Sequence, residues 1–332
     1  MHSIFKLVLI LFAVSPALSF ALHHSDEVAN PARRSTDHSR HTLRGRGHKR
    51  GFIDNKRKID EVVVNDLEYI EKGEYAEVYG GEVQPGTTGG KNIPSQVAVK
   101  EFKGKKNIEH GDTEMAAIED LQKKVANINI PEIYASEKTE ESGPVLRYIM
   151  TRARGGSLAD CYKQYAQIET NENRLRAVVE LWKTLGQIHD AGWAHRDIRA
   201  ENVLLENEWV HRAKKGPSGR MLTTGFVWAA KDDGFYKDMD IPEMAEVSYQ
   251  MLYGIPFPEL PEEESDNDDN FNQLNEDKQI ETVQQLYSGN AGGKKMGEKP
   301  AKFFAWTHEG IVNDVKKALK MLDDIKGDDL LA

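Results

Sequence analysis

The chain has 332 residues, 39% of them hydrophobic, and a formal net charge of −10. That length fits one large domain or two small ones, with enough apolar mass for a real core. The charge is unevenly divided: residues 1–50 carry eight Lys/Arg against three Asp/Glu, leaving a net of −15 on the remainder, which argues against nucleic acid as a partner of the folded part.

Residues 1–21 read as a secretory signal peptide. Lys6 supplies the positive start, Leu7 to Val14 form an apolar run too short to span a bilayer, and small residues allow cleavage after Ser19 or Ala21. No later stretch is apolar enough for a membrane span, so the expected fate is secretion. Residues 22–58 are polar, basic and without period, and predict a disordered leader or propeptide, with dibasic pairs at Lys49-Arg50 and Lys56-Arg57. Within it, His41-Thr42-Leu43-Arg44 loosely resembles the Arg-x-Leu-Arg leader element of oomycete effectors, with His in place of the first Arg. Cys161 is the only cysteine, and no Asn-x-Ser/Thr sequon occurs. Both absences fit delivery into a reducing compartment, such as a host cell's cytoplasm, and equally a core large enough to need no disulfide.

Structured sequence is expected from Glu61 onward. Val62–Val64, Leu67–Ile70, Ala76–Val83 and Gln96–Phe102 have strand composition, with a Gly-rich turn from Pro85 to Gly90. Thr113–Val125 predicts a helix; Ile133–Ser136 and Val145–Thr151 predict strands. Leu175, Val178, Val179, Trp182, Leu185 and Ile188 recur at spacings of three and four and mark one buried helix face. The stretch 256–270 reads as an acidic loop, 288–300 as a further loop, and Ile311–Ile325 as a closing amphipathic helix. Strands first and helices later predict an α+β protein: a small sheet-rich lobe over 59–152 and a helical lobe over 153–332.

One motif carries chemistry: His195-Arg196-Asp197-Ile198-Arg199-Ala200-Glu201-Asn202-Val203, directly after the periodic helix. It resembles the catalytic loop of the eukaryotic protein kinases. That resemblance implies a two-lobed fold and fixed roles. Asp197 would orient an attacking hydroxyl, Arg199 would face phosphate, and Asn202 would ligate a metal. Val97-Ala98-Val99-Lys100 resembles the family's lysine strand, with Lys100 on the phosphates and Glu114 as its helix partner, Glu119 being the runner-up. Ile70 to Tyr79 aligns with the phosphate loop, but only Gly73 of its glycines remains, with Glu71 and Ala76 at the other two positions. Val78 and Ala98 would border the nucleotide, Met150 would be the gatekeeper and Arg152 would follow on the hinge. His195 and Arg196 are structural, and Asp240 would brace the loop from a long helix over 240–254.

The departures concern phosphate and metal. In Thr224-Gly225-Phe226-Val227, Gly225 stands where the family has its magnesium-binding Asp. The rival alignment uses Asp233-Gly234-Phe235, and Asp232 or Asp233 could act as a surrogate ligand. About a dozen residues separate Phe226 from Asp240, so the activation segment is truncated. ATP is the nucleotide that the resemblance implies; Mg or Mn is doubtful. Two readings stay open: a pseudokinase that binds a protein partner, as an effector in host cells or otherwise, and an active but unorthodox ATP-dependent kinase.

Overall fold

The computed structural model describes residues 56–87, 92–140, 143–206, 220–231, 235–258, 260, 274–291, 293–308 and 310–331. The signal peptide, Lys49-Arg50, Asp232, Asp233 and most of the acidic stretch 256–270 lie outside them. Among the described residues no helix is long and apolar enough to cross a membrane.

Six antiparallel strands form the first part: β1 (Lys56–Ile59), β2 (Val62–Lys72), β3 (Ala76–Val83), β4 (Gln96–Phe102), β5 (Ile133–Lys138) and β6 (Val145–Thr151), in the order β1-β2-β3-β4-β6-β5. Helix α1 (Lys105–Lys124) connects β4 to β5. The period of two along β4 explains its central place. Val97 and Val99 pack with Val64, Tyr79 and Ile149 on one face, while Ala98 and Phe102 pack with Met115, Tyr148 and Met150 on the other. Lys100 therefore points to the same side as Ala98 and Phe102, toward α1. Gly111 lets that helix approach, since a Cβ there would lie 2.8 Å from the Val145 carbonyl oxygen.

The second part is helical: α2 (Leu158–Ile168), α3 (Asn171–Asp190), α4 (Phe235–Tyr253), α5 (Glu276–Asn290), α6 (Glu298–His308) and α7 (Val315–Asp324). Ser157, Thr170, Asn275 and Asp314 cap α2, α3, α5 and α7 through their side-chain oxygens. Trp182, Tyr249, Phe303 and Phe304 are fully buried at the centre. Between the parts run two short ribbons. β7 (Trp193–Ala194) pairs with β10 (Ala230–Lys231), and β8 (Val203–Leu205) pairs with β9 (Met221–Thr223). They hold the 195–202 loop against the segment 223–228.

Several expectations are corrected. A strand precedes Glu61, where none was expected: Lys56–Ile59 pairs with Val62–Asn65, and Arg57 Nε donates to Glu101 Oε1 at 2.6 Å. Three of that strand's four residues are charged, which hid it, and charge is common on an edge strand. Residues 56–58 thus belong to the sheet rather than to the expected leader, and Lys56-Arg57 is held in a strand, a poor processing site. Helix α1 begins at Lys105 rather than Thr113, its polar first turns and Gly111 having masked the pattern. Helix α4 begins at Phe235, five residues before Asp240. The expected loop 288–300 is only the short link between α5 and α6, and Ile311 is 50% exposed, outside α7.

Candidate functional site

Lys100 Nζ donates to Glu114 Oε2 at 2.6 Å, and Glu114 is wholly buried. Glu119 is exposed, which settles the choice of partner. Ala98 lies opposite Met150 in the β4–β6 ladder, and Val78 lies opposite Lys100 in the β3–β4 ladder. These four residues therefore line one end of the sheet together. Arg152 pairs with Glu68 and lies over Gly80, where a Cβ would be 2.6 Å from its Cζ. Glu68 was not anticipated; nothing in its strand marks it until β2 and β3 pair.

The main chain of the 195–198 loop is held by side chains of α4. Asp240, fully buried, accepts from His195 N at 2.8 Å and from Arg196 N at 2.7 Å, and its Oδ2 lies 2.8 Å from His189 Nε2. Asp197 N donates to His195 Nδ1 at 3.3 Å, while His195 Nε2 lies 2.9 Å from the Thr224 carbonyl. These partners select the neutral Nε2–H tautomer, and burial pushes the imidazole pKa down in agreement. Arg196 adopts φ 67°, a strained region for a residue other than glycine, and its guanidinium sits 4.1 Å from the Tyr236 ring centre.

Glu243 completes the brace, accepting from Ile198 N at 3.0 Å. Sequence reading passed over it, because only the helical turn places it beside Asp240. Burial, with Asp240 and Asp197 nearby, pushes its pKa up to about 7. The folded chain thus binds a proton between about pH 4.5 and 7 that the unfolded chain does not, so this group's contribution to stability falls as pH rises through that window. Glu243→Gln keeps an acceptor and removes the charge. Its unfolding free energy from denaturant melts is expected to match the parent near pH 4 and exceed it at pH 8 by about 2 kcal/mol, allowing for residual solvent contact. A parent advantage at pH 8 would count against this account.

Asp197 has both carboxylate oxygens engaged. Arg199 Nε lies 3.3 Å from Oδ1, and Asn202 Nδ2 donates to Oδ2 at 2.8 Å and to the Asp197 carbonyl at 2.7 Å. Burial raises the Asp197 pKa, opposed by Arg199 and Asn202. Gly225 has φ 84°, and a Cβ on it would lie 2.5 Å from Asn202 Cγ. The Asn202 amide thus occupies the space that a side chain at position 225 would enter. Phe226 is fully buried against His195, Ile118, Leu121 and Ile188.

The phosphate-loop segment closes over this arrangement. Gly73 N donates to Ala76 O at 2.9 Å, forming the turn at its tip. Next to it, the Tyr75 ring lies 4.4 Å from His110 on α1 and 5.6 Å from Trp228, and His110 and Trp228 are 5.2 Å apart. Burial, Glu74 and Asp197 push the Tyr75 pKa up to about 12. This aromatic triad was not predicted. His110 belongs to the half of α1 that the sequence concealed, and its three members are distant along the chain.

A family model described as protein tyrosine and serine/threonine kinase matches residues 64–216. Sporulation-specific protein 1 of Saccharomyces cerevisiae is 26% identical over 166 residues, covering 45% of this chain and 34% of that protein. Mitogen-activated protein kinase kinase kinase 1a of Physcomitrium patens is 26% identical over 151 residues, covering 43% of this chain and 18% of that protein. The chain thus spans a third or less of the curated relatives it matches. The match takes in the lysine strand, the α1 glutamate and the 195–202 loop, the same residues that converge around Asp197: over 64–216 the chain carries a protein-kinase-like domain.

Proposed function

We propose that this protein is a two-lobed pseudokinase with a truncated activation segment, which acts as a binding module for a protein partner and does not transfer phosphate. One observation carries this reading: the Asn202 amide closes on Asp197 and fills the space beside Gly225. A phosphate-bound magnesium or manganese ion needs oxygen ligands from both positions. Gly225 offers no side chain and Asn202 is turned away, so these residues do not fit the ion. The loop over the site adds Glu71, Glu74 and Glu77 where glycine amides would meet phosphate. Only 229–234 separate the Phe226–Trp228 turn from α4, which leaves little surface to seat a peptide substrate.

A second reading, an active ATP-dependent kinase of unusual metal use, is favoured by the 2.6 Å Lys100–Glu114 pair and the fully held 195–198 loop. A module that only binds needs neither. We also propose that the chain is secreted and works in another cell's cytoplasm, on the strength of its signal-like start, basic leader and single cysteine.

One preparation tests these readings. The full chain is expressed in a eukaryotic secretory host and titrated with ATP, with and without Mg2+ or Mn2+, while phosphate transfer is followed. Metal-independent ATP binding, or none, without transfer is expected. Transfer that vanishes in Asp197→Asn would overturn the pseudokinase reading. Recovery from the medium with a new N-terminus at Phe20 or Leu22 is expected, and retention inside the producing cell would overturn the secretion reading.

A further inference from the structure

A cavity of about 510 Å3 opens in the helical part, and none of its lining residues belongs to the site around Asp197. That volume suits a small-molecule ligand. Its wall contains three cations, Lys163 midway along α2, Arg174 on α3 and Lys294 after α5, and no carboxylate. In a chain with ten more acidic than basic residues, such a lining is unexpected by composition. Arg174 is partly buried; its two terminal nitrogens donate to the Leu252 carbonyl and Asn171 Oδ1, and its buried Nε has no hydrogen-bond partner. Among the described residues none of the three cations forms an ion pair. Lys163 has only the Tyr162 ring, 5.8 Å away. Apart from Gln167 the rest of the wall is apolar and aromatic, including Tyr253, Tyr287 and Ile255.

The Arg174 guanidinium is hydrogen-bonded to neutral acceptors alone; burial lowers its pKa, and Glu169 opposes this only through space, so its lost hydration is not met by a bonded counter-charge. An anion in the cavity would supply that charge through charge-assisted hydrogen bonds. We propose that this cavity binds a small organic anion with an apolar body. Its charged group lies among Lys163, Arg174 and Lys294, and its body lies against Tyr253, Tyr287 and Ile255. The proposal is independent of whether the Asp197 site is active.

The test uses the full chain and the fluorescent aromatic sulfonate 1-anilinonaphthalene-8-sulfonate. Saturable one-to-one binding is expected. Octyl phosphate should displace the probe, with octanol and inorganic phosphate at least about tenfold weaker because each supplies half of the recognition. Lys163→Glu/Lys294→Glu changes two exposed side chains, so the melting temperature should hold while probe affinity falls at least about tenfold. Equal affinity in that variant would overturn the proposal, as would octanol competing as well as octyl phosphate. Binding that appears only after the carboxylates between Glu262 and Asp269 are neutralised would also overturn it, because the site would then be filled from within the chain.

Discussion

Lys100→Met is expected to lower folding stability by about 3–5 kcal/mol, a large share of a typical domain's total. Glu114 is wholly buried, and the substitution leaves its carboxylate without the ammonium 2.6 Å away. Glu114 Oε1 already lacks a hydrogen-bond partner, and the Tyr148 hydroxyl beside the carboxylate is neutral, so it does not replace the lost charge. The cost comes from the stranded charge, and the double variant separates that from lost packing. Lys100→Met with Glu114→Leu removes both charges and should recover most of the loss, since an apolar pair of similar volume is often neutral or better. Denaturant melts of the four proteins form a double-mutant cycle. A coupling below about 1 kcal/mol would show that solvent reaches Glu114 and compensates its charge.

Asp240→Ala is expected to cost a similar amount, about 3–5 kcal/mol, by a different route. The aspartate accepts from two successive backbone amides at 2.8 and 2.7 Å and neighbours His189 at 2.8 Å. Bonds to a charged acceptor contribute about 1.5–3 kcal/mol each, and buried amides left without one carry a desolvation penalty. The loss should be local as well as global. Arg196 holds φ 67° only while its amide is fixed, so residues 195–198 should relax toward ordinary backbone angles. Amide exchange should accelerate there more than in the sheet. Asp240→Asn keeps one acceptor oxygen and should fall between parent and Ala. A cost under about 1 kcal/mol, or exchange faster everywhere alike, would refute the idea that this helix positions the loop.

The two variants probe opposite sides of Asp197, and both sides are held firmly. What differs from a phosphate-transferring arrangement lies in between. Asn202 is committed to Asp197, Gly225 has no side chain, and Tyr75 meets His110 in a tilted contact and Trp228 edge-on. On the reading proposed above, the frame presents a surface whether or not phosphate moves.

The sequence by itself determined the class of fold, the order of strands before helices, and the residues around Asp197. These were legible because their signals are local. A period of two in Gln96–Phe102, spacings of three and four from Leu175 to Ile188, and an unbroken His195–Val203 motif all lie within a few turns of chain. Tertiary structure alone decided three things. It decided that the polar run Lys56–Ile59 is a strand, because its stability comes from Glu101 and the β2 backbone rather than from its own composition. It made Glu243 a brace, because burial beside Asp240 gives a surface-type residue its contact with Ile198 N. And it brought Tyr75, His110 and Trp228 together, three rings separated by 35 and 118 residues along the chain, whose encounter depends on how the sheet, α1 and the 226–228 turn pack. Local sequence encodes periodicity and motif; contacts between distant segments, and the burial that shifts a carboxylate's proton affinity, exist only once the chain has packed.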